Sequence, residues 1–327
     1  MARTLTSACR SESRAADDGS VPRCTMESLA PLCEKCVWKQ HCGGWTAICC
    51  PLTQDDAKCK RCEYCCVGDL DRFNRMANEV GGMRLSDVTA QPQSIPDFRP
   101  TVVKWRDGDD HRRWPAEDVV ATTLSAITCR GTAVRSIREQ NGVAPHALLL
   151  IDGCCYDDVL ENLWLRRRDP SLYDLLKAER PCVVVAPDMS LYPHMPACHK
   201  LYQIKRTFVM YKQFQNHGLT AVPFLAPHAP AHAKCMASWL RANEHVTHVA
   251  ASLQTLHTDA SLWRRHLHLL QQIKEGVPRQ LVWMLIGQSD DRWGTLAKRF
   301  GCVRSIVVGP KFDSMRRQPD MSLRLPF

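Results

Sequence analysis

The residues with the clearest chemical potential are cysteines crowded near the amino terminus. Of 18 cysteines, ten lie between residues 24 and 66, in the local patterns Cys33-x2-Cys36-x5-Cys42 and Cys59-x2-Cys62-x2-Cys65. A C-x2-C pair lets two thiolates from one tight turn reach a common metal, and thiolates suit zinc or iron–sulfur clusters. The sequence therefore predicts a metal-binding module whose ligands come from Cys33, Cys36, Cys42, Cys49, Cys50, Cys59, Cys62, Cys65 and Cys66.

The grouping of these cysteines favours an iron–sulfur cluster, [4Fe–4S] first, over zinc. A four-thiolate zinc ribbon built from Cys33, Cys36, Cys59 and Cys62 would leave six of the ten cysteines unexplained. Triplets such as C-x2-C-x2-C are more typical of iron–sulfur ligation. Zinc remains the alternative, and disulfides or unliganded thiols are a third. The first pattern also resembles the auxiliary-cluster motif C-x2-C-x5-C of many radical-SAM enzymes. Their core motif, C-x3-C-x2-C, does not occur in the sequence, so the resemblance implies a cluster and not radical chemistry.

A second set of candidate residues follows short apolar runs further along the chain. Asp152 ends the run ALLLID, Asp188 comes directly after CVVVAP, and His228 follows AVPFLAP. These are the predicted catalytic residues. The alternative is a turn or helix-cap role for Asp152 and Asp188, and an exposed loop position for His228. The predicted substrate-binding residues are Ser190, Tyr192, Arg206, Gln254, Gln288 and Lys311.

Alternating strands and helices would position this second set. The predicted strands are 101–105, 119–125, 147–152, 182–186, 219–225, 246–252, 280–286 and 303–308. The predicted helices are 131–141, 157–179, 196–217, 231–244, 259–275 and 291–300. Continuous apolar strands separated by helices are typical of a parallel sheet buried on both faces. The pattern predicts an α/β fold, a (β/α)8-barrel-like domain, with a doubly wound open sheet as the alternative. Either fold brings the carboxyl ends of the strands, and the polar residues there, to one edge.

The predicted organisation has five parts. Residues 1–22 form a disordered tail, 23–82 the cysteine-rich module, 83–99 a linker, 100–315 the barrel-like domain and 316–327 a C-terminal tail. Within the module, Phe73, Met76 and Val80 recur at helical spacing, and Gly81-Gly82 should stop that helix.

Residues 183–226, VVVAPDMSLY through GLTAVPFLA, resemble a domain of unknown function found in phage, plasmid and other mobile-element proteins. The resemblance continues more loosely to about residue 290. It implies an architecture and a genomic context, and it singles out Asp188, Ser190, Tyr192, Arg206, Gly218 and Pro223. This chain has Phe224-Leu-Ala-Pro-His where the similar proteins tend to carry a tryptophan. Lys205 and Arg206 fall on the helix after residue 195, for which a solvated face is predicted.

Charge and motifs limit the kinds of molecule that the protein is expected to bind. The net charge is +9 and the isoelectric point about 8.8, which favours nucleic acid as the partner. No Walker A motif is present, and no G-x-G-x-x-G opens a helix after a strand, which argues against ATP and NAD. No apolar stretch predicts a membrane helix and no secretory signal is recognisable, so a cytoplasmic location is expected.

Three functions fit these observations. The first is an enzyme that modifies nucleic acid or a nucleobase, with a distant fold-level analogy to the tRNA-guanine transglycosylase group. The second is a non-catalytic module that binds nucleic acid or protein and carries a structural or redox-sensing metal. The third is a redox enzyme whose cluster passes electrons to a substrate on the barrel. The sequence leaves open whether the protein is an enzyme at all.

Overall fold

The computed structural model describes residues 70–97, 101–104, 119–125, 136–140, 143, 145–191, 197–254, 260–287, 293–301 and 303–308. The predicted metal-ligating cysteines, together with Tyr192, Gln288 and Lys311, lie outside these residues. The chain divides into two compact units: residues up to Asp87 with Leu191–Lys205 form one, and Val88–Ser190 with the residues from Arg206 onward form the other.

The described part of the first unit is helical. It comprises helix α1 (Leu70–Glu79), a short 3-10 helix (Leu85–Asp87) and the first nine residues of a long helix (Ala197–Asn216). Gly81 and Gly82 have φ values of +70° and +91°, and the Gly82 amide donates to the Ala77 carbonyl at 2.7 Å. Because glycine adopts positive φ without steric cost, these residues terminate α1, as the sequence predicted.

Lys205, in the same unit, departs from its predicted place on a solvated helix face. It is only 1% exposed, and its ammonium group donates to the Arg84 carbonyl and lies 3.8 Å from an Asp87 carboxylate oxygen. Burial lowers the pKa of Lys205, and Asp87 opposes that shift. The solvated-face prediction is therefore wrong, because this lysine satisfies a backbone carbonyl inside the unit.

The second unit is built on eight parallel strands. They are β1 (Thr101–Lys104), β2 (Val119–Thr123), β3 (Leu148–Asp152), β4 (Val183–Val185), β5 (Ala221–Val222), β6 (His248–Ser252), β7 (Val282–Ile286) and β8 (Val303–Val308). The sheet order is β5-β4-β3-β2-β1-β8-β7-β6, and every pairing is parallel. All eight lie within the predicted ranges, and the α/β class is confirmed.

The two strands that end this order also contact each other. Phe224, two residues after β5, pairs with Ala250 of β6 in a parallel bridge. The Ala250 amide donates to the Pro223 carbonyl at 2.9 Å, and the Leu225 amide donates to the Ala250 carbonyl at 2.7 Å.

Helices separate most of the strands. They are α2 (Ile137–Gln140), α3 (Asp157–Leu165), α4 (Pro170–Ala178), α5 (Ala197–Asn216), α6 (Pro230–Ala242), α7 (Ala260–Glu275) and α8 (Trp293–Phe300). The single helix predicted over 157–179 is wrong, because it is two helices broken at Asp169-Pro170. Proline has no amide hydrogen and favours a first helical position, and the Asp169 carboxylate caps α4 by accepting from the Ser171 amide at 3.0 Å.

The segment 88–97 is extended but closely bonded to the second unit. The Ala90 amide donates to the side chain of Asn243 at 2.8 Å, and the Trp239 indole donates to the Val88 carbonyl at 2.6 Å. The side chain of Gln93 bonds to the backbone of Leu219 and Ala221, at 2.8 and 2.9 Å. Part of the predicted linker therefore packs as an ordered strap near the start of β5.

Candidate active site at the carboxyl edge of the sheet

Asp152 is the last residue of β3 and is fully buried. The register places it beside Thr123 at the end of β2. One of its carboxylate oxygens, Oδ1, accepts a hydrogen bond from the Cys154 amide at 2.9 Å. A buried carboxylate requires such partners, because removing it from water is otherwise costly. The Cys154 bond also turns the chain sharply after the strand and fixes where the acid lies.

Asp188 is brought to the neighbouring strand end. It follows β4 by three residues, and its amide donates to the Gly153 carbonyl at 3.0 Å. The backbones meet closely here: a Cβ on Gly153 would lie 2.6 Å from the Ala186 carbonyl carbon and 2.7 Å from Pro187 Cα. Only glycine fits that approach. Asp152 and Asp188, which are 36 positions apart in sequence, thus follow adjacent strands at one edge.

The loop that carries Asp188 has two more attachments. The Ser190 hydroxyl donates to the carboxylate of Asp157, the first residue of α3, and the Thr207 hydroxyl donates to the Pro187 carbonyl at 3.0 Å. Ser190, predicted to bind substrate, therefore also links the loops that follow β3 and β4. Asp157 was missed from the sequence because an acid in a first helical turn usually interacts with the helix dipole alone.

His228 follows the next strand, β5, and lies in a group of histidines. Its amide donates to Nδ1 of His232 at 3.4 Å, and its carbonyl accepts from Arg265 at 3.2 Å. Burial, and to a lesser extent His228, lowers the pKa of His266 to about 4, which keeps that ring neutral. Because β5 pairs with β4, His228 extends the same edge beyond Asp188, on the side of α6 and α7.

Gln254 lies at the same edge of the sheet, two residues after β6. Its amide donates to the Ser252 hydroxyl at 3.3 Å. A Cβ added to Gly287, which follows β7 and has φ +74°, would lie 3.0 Å from Cβ of Gln254. The glutamine therefore packs against the end of β7.

The Arg206 side chain forms an ion pair within the protein, with Glu161. Its guanidinium bonds both carboxylate oxygens of Glu161, at 2.7 and 2.8 Å, and lies 4.7 Å from the ring centroid of Trp164. The side chain is 3% exposed, so the solvated-face prediction is wrong for Arg206 as well. A two-pronged ion pair of this kind holds α5 to α3. Its predicted contact with substrate stays a prediction.

Polar groups at the end of β2 complete the described part of this edge. Thr122 is buried, and the hydroxyls of Thr123 and Ser125 share a hydrogen bond. The sequence places Thr123 and Ser125 at the end of a predicted strand, so the rule that identified Asp152 would also have found them.

No group of three or more histidine, cysteine, aspartate or glutamate side chains among the described residues could hold a metal ion. Cys182, beside β4, has a pKa raised to about 11 by burial, so its thiol stays protonated at neutral pH.

Comparison with protein-family models and with curated proteins finds no match for this chain. The likeness of residues 183–226 to mobile-element proteins stays a prediction. Within the part of the chain that the structure describes, no helix combines the length and apolar character needed to cross a bilayer.

Proposed function

We propose that this protein is an enzyme that modifies a nucleobase within nucleic acid, using the carboxylates of Asp188 and Asp152. The observation that carries the proposal is the hydrogen bond from the Asp188 amide to the Gly153 carbonyl. It brings two acids to adjacent strand ends, at the edge where parallel α/β folds place their functional groups.

We also infer that the eight strands form a closed (β/α)8 barrel. The two hydrogen bonds that Ala250 makes with Pro223 and Leu225 support closure, because they join the strands that would otherwise be the free edges. In a closed barrel the ends of β3, β4 and β5 lie side by side on one rim, with Asp152, Asp188 and His228 in that order.

The burial of the two acids distinguishes their roles. Asp188 is half-buried and Asp152 is fully buried, so Asp188 is the more accessible nucleophile. In base exchange its carboxylate bonds to the anomeric carbon of the nucleotide as the bond to the base breaks. The departing base keeps the electron pair and takes up a proton, and an incoming base reverses the step. Asp152 serves as the general acid and base for those protons.

The cysteine-rich module belongs to the same proposal. Its predicted ligands lie outside the described residues, and the thiolate spacing alone supports an iron–sulfur cluster, with zinc as the alternative. Together with the net charge of +9, the module is proposed to help hold a polynucleotide in the cytoplasm.

Replacement of Asp188 by asparagine tests the function. Radiolabelled adenine, guanine, cytosine or uracil would be offered with pooled RNA and DNA, and incorporation into polymer would be counted. Asp188→Asn should abolish incorporation and leave oligonucleotide binding unchanged. Asp174→Asn is the matched control, because that carboxylate is 67% exposed on α4 and, among the described residues, its ion pair is the local one with Lys177.

Two results would contradict the proposal. Full incorporation by Asp188→Asn would show that Asp188 takes no part in the reaction. Wild-type protein that binds oligonucleotides but incorporates no base would favour the non-catalytic binding module instead.

A further inference from the structure

Helices α6 and α7 carry an uneven distribution of charge. Residues 230–254 and 260–279 contain six lysines and arginines but only two acids, Glu244 and Glu275. Glu244 follows the end of α6 and Glu275 is the last residue of α7. The helix halves nearest the carboxyl edge of the sheet are therefore basic without counterbalancing acids among their described residues.

Two contacts fix these helices side by side. At their start, Arg265 of α7 donates to the His228 carbonyl in the loop before α6, at 3.2 Å. At their end, Arg241 of α6 donates to the Gly276 carbonyl after α7, at 2.8 Å. Both helices thus run from the carboxyl edge of the sheet toward the opposite edge and present one continuous surface.

The exposed side chains of this surface include four cations and one histidine, and one acid, Glu275, at its far end. The basic face is defined by Lys234, Arg241, Arg264, Arg265 and His268, all of them exposed. Arg264 and His268 are four positions apart on α7, so they lie on the same side of the helix, one turn from each other. No ion pair to a carboxylate involves Arg264 or Arg265 among the described residues.

Apolar groups lie next to these cations. Leu262 is 38% exposed, and Trp263 is half-buried beside Arg264. Exposed apolar and aromatic groups interleaved with arginines are typical of surfaces that track a phosphate backbone and stack its bases. The helix N-termini add partial positive charge at the same end.

The position of the basic face relates it to the candidate active site. Its contact through Arg265 is with the His228 loop after β5, and β5 pairs with β4, the strand that leads to Asp188. A strand of nucleic acid lying along the face would approach the Asp188 edge from the β5 side.

We propose that the basic face of α6 and α7 docks the phosphate backbone of a single-stranded nucleic acid and delivers its target nucleotide to the Asp188 edge. Delivery of the target nucleotide rests on the proposed function, since it requires a reaction at Asp188. Docking of the phosphate backbone does not require that reaction. Charge complementarity is the argument for the occupant, because each neutralised phosphate releases counterions and favours binding.

Salt dependence of binding tests the docking. Affinity of the full chain for a fluorescein-labelled single-stranded RNA would be measured by anisotropy between about 50 and 200 mM salt. Lys234→Gln and Arg264→Gln should each reduce the slope of log K against log salt by about 0.7, the value for one phosphate contact in a single strand. Arg168→Gln and Lys177→Gln, at exposed positions after α3 and on α4, are controls and should leave the slope unchanged.

Several outcomes would overturn the docking. It fails if wild-type protein does not bind the RNA at about 50 mM salt, or if Lys234→Gln and Arg264→Gln keep the wild-type slope. Equal reductions of the slope in Arg168→Gln and Lys177→Gln would indicate a nonspecific effect of net charge. Loss of binding to phosphatidylserine vesicles on Arg264→Gln, with RNA binding unchanged, would assign the face to an anionic membrane. Reduced slopes in a protein that exchanges no base would retain the docking and reject only the proposed chemistry.

Discussion

Replacing Gly153 by alanine should separate the ends of β3 and β4. The added methyl group would lie 2.6 Å from the Ala186 carbonyl carbon and 2.7 Å from Pro187 Cα, and both are backbone atoms that cannot rotate away. Overpacking of this kind costs about 1–3 kcal/mol, and loss of the hydrogen bond from the Asp188 amide adds about 0.5–1.5 kcal/mol. The free energy of unfolding of Gly153→Ala should therefore fall by about 1.5–4.5 kcal/mol.

Urea unfolding followed by circular dichroism measures this loss. Gly218→Ala is the control, because Gly218 has φ +78° and open space around its missing Cβ. That substitution should cost about 1 kcal/mol, from backbone strain alone. The reasoning is refuted if Gly153→Ala unfolds at the wild-type urea concentration, since Gly153 would then not touch the backbone after β4.

Two further predictions concern pH and metal. Burial lowers the pKa of His266 to about 4. Between pH 6.5 and 4 this histidine is therefore protonated in the unfolded chain but stays neutral in the folded protein. The stability that this histidine contributes is complete above pH 6.5 and is lost as the pH falls toward 4, by up to about 3 kcal/mol. His266→Gln should flatten that part of the pH profile of stability measured by urea unfolding. His268→Gln, at an exposed position, should leave the profile unchanged. If both variants give the same profile, His266 is not buried in the way the structure shows. Anaerobically purified protein should be brown and contain iron and sulfide, at about four irons per cluster, and Cys33→Ala with Cys36→Ala should lower the iron content. Colourless protein with stoichiometric zinc would reverse the choice of metal.

Local patterns were sufficient for the strands of the second unit. The eight strands lie where short β-branched runs predicted them, because continuous apolar character reflects burial on both faces of a parallel sheet. Gly81 and Gly82 ended α1 as predicted, because positive φ is a property of the residue itself. The break at Asp169-Pro170 also has a local cause, a capping aspartate followed by proline. It was missed from the sequence because the helical pattern continues on both sides.

Burial of charged side chains could not be inferred from neighbours in sequence. Lys205 and Arg206 have the composition of a solvated helix face, yet each is buried by a partner far along the chain: Arg84 and Asp87 for the lysine, Glu161 for the arginine. The segment 88–97 looked like a linker for the same reason, since the partners of Ala90 and Gln93 lie more than 120 positions away.

The sequence by itself determined the types of residue available for chemistry and the strand ends that carry them, because both follow from local composition and spacing. It established the crowding of thiolates, the acids after two apolar runs and the excess of positive charge. Only the tertiary structure decided that β3 and β4 are neighbours and that the Asp188 amide meets the Gly153 carbonyl. Strand order and the close approach of two backbones arise from contacts between distant segments, and no single segment encodes them.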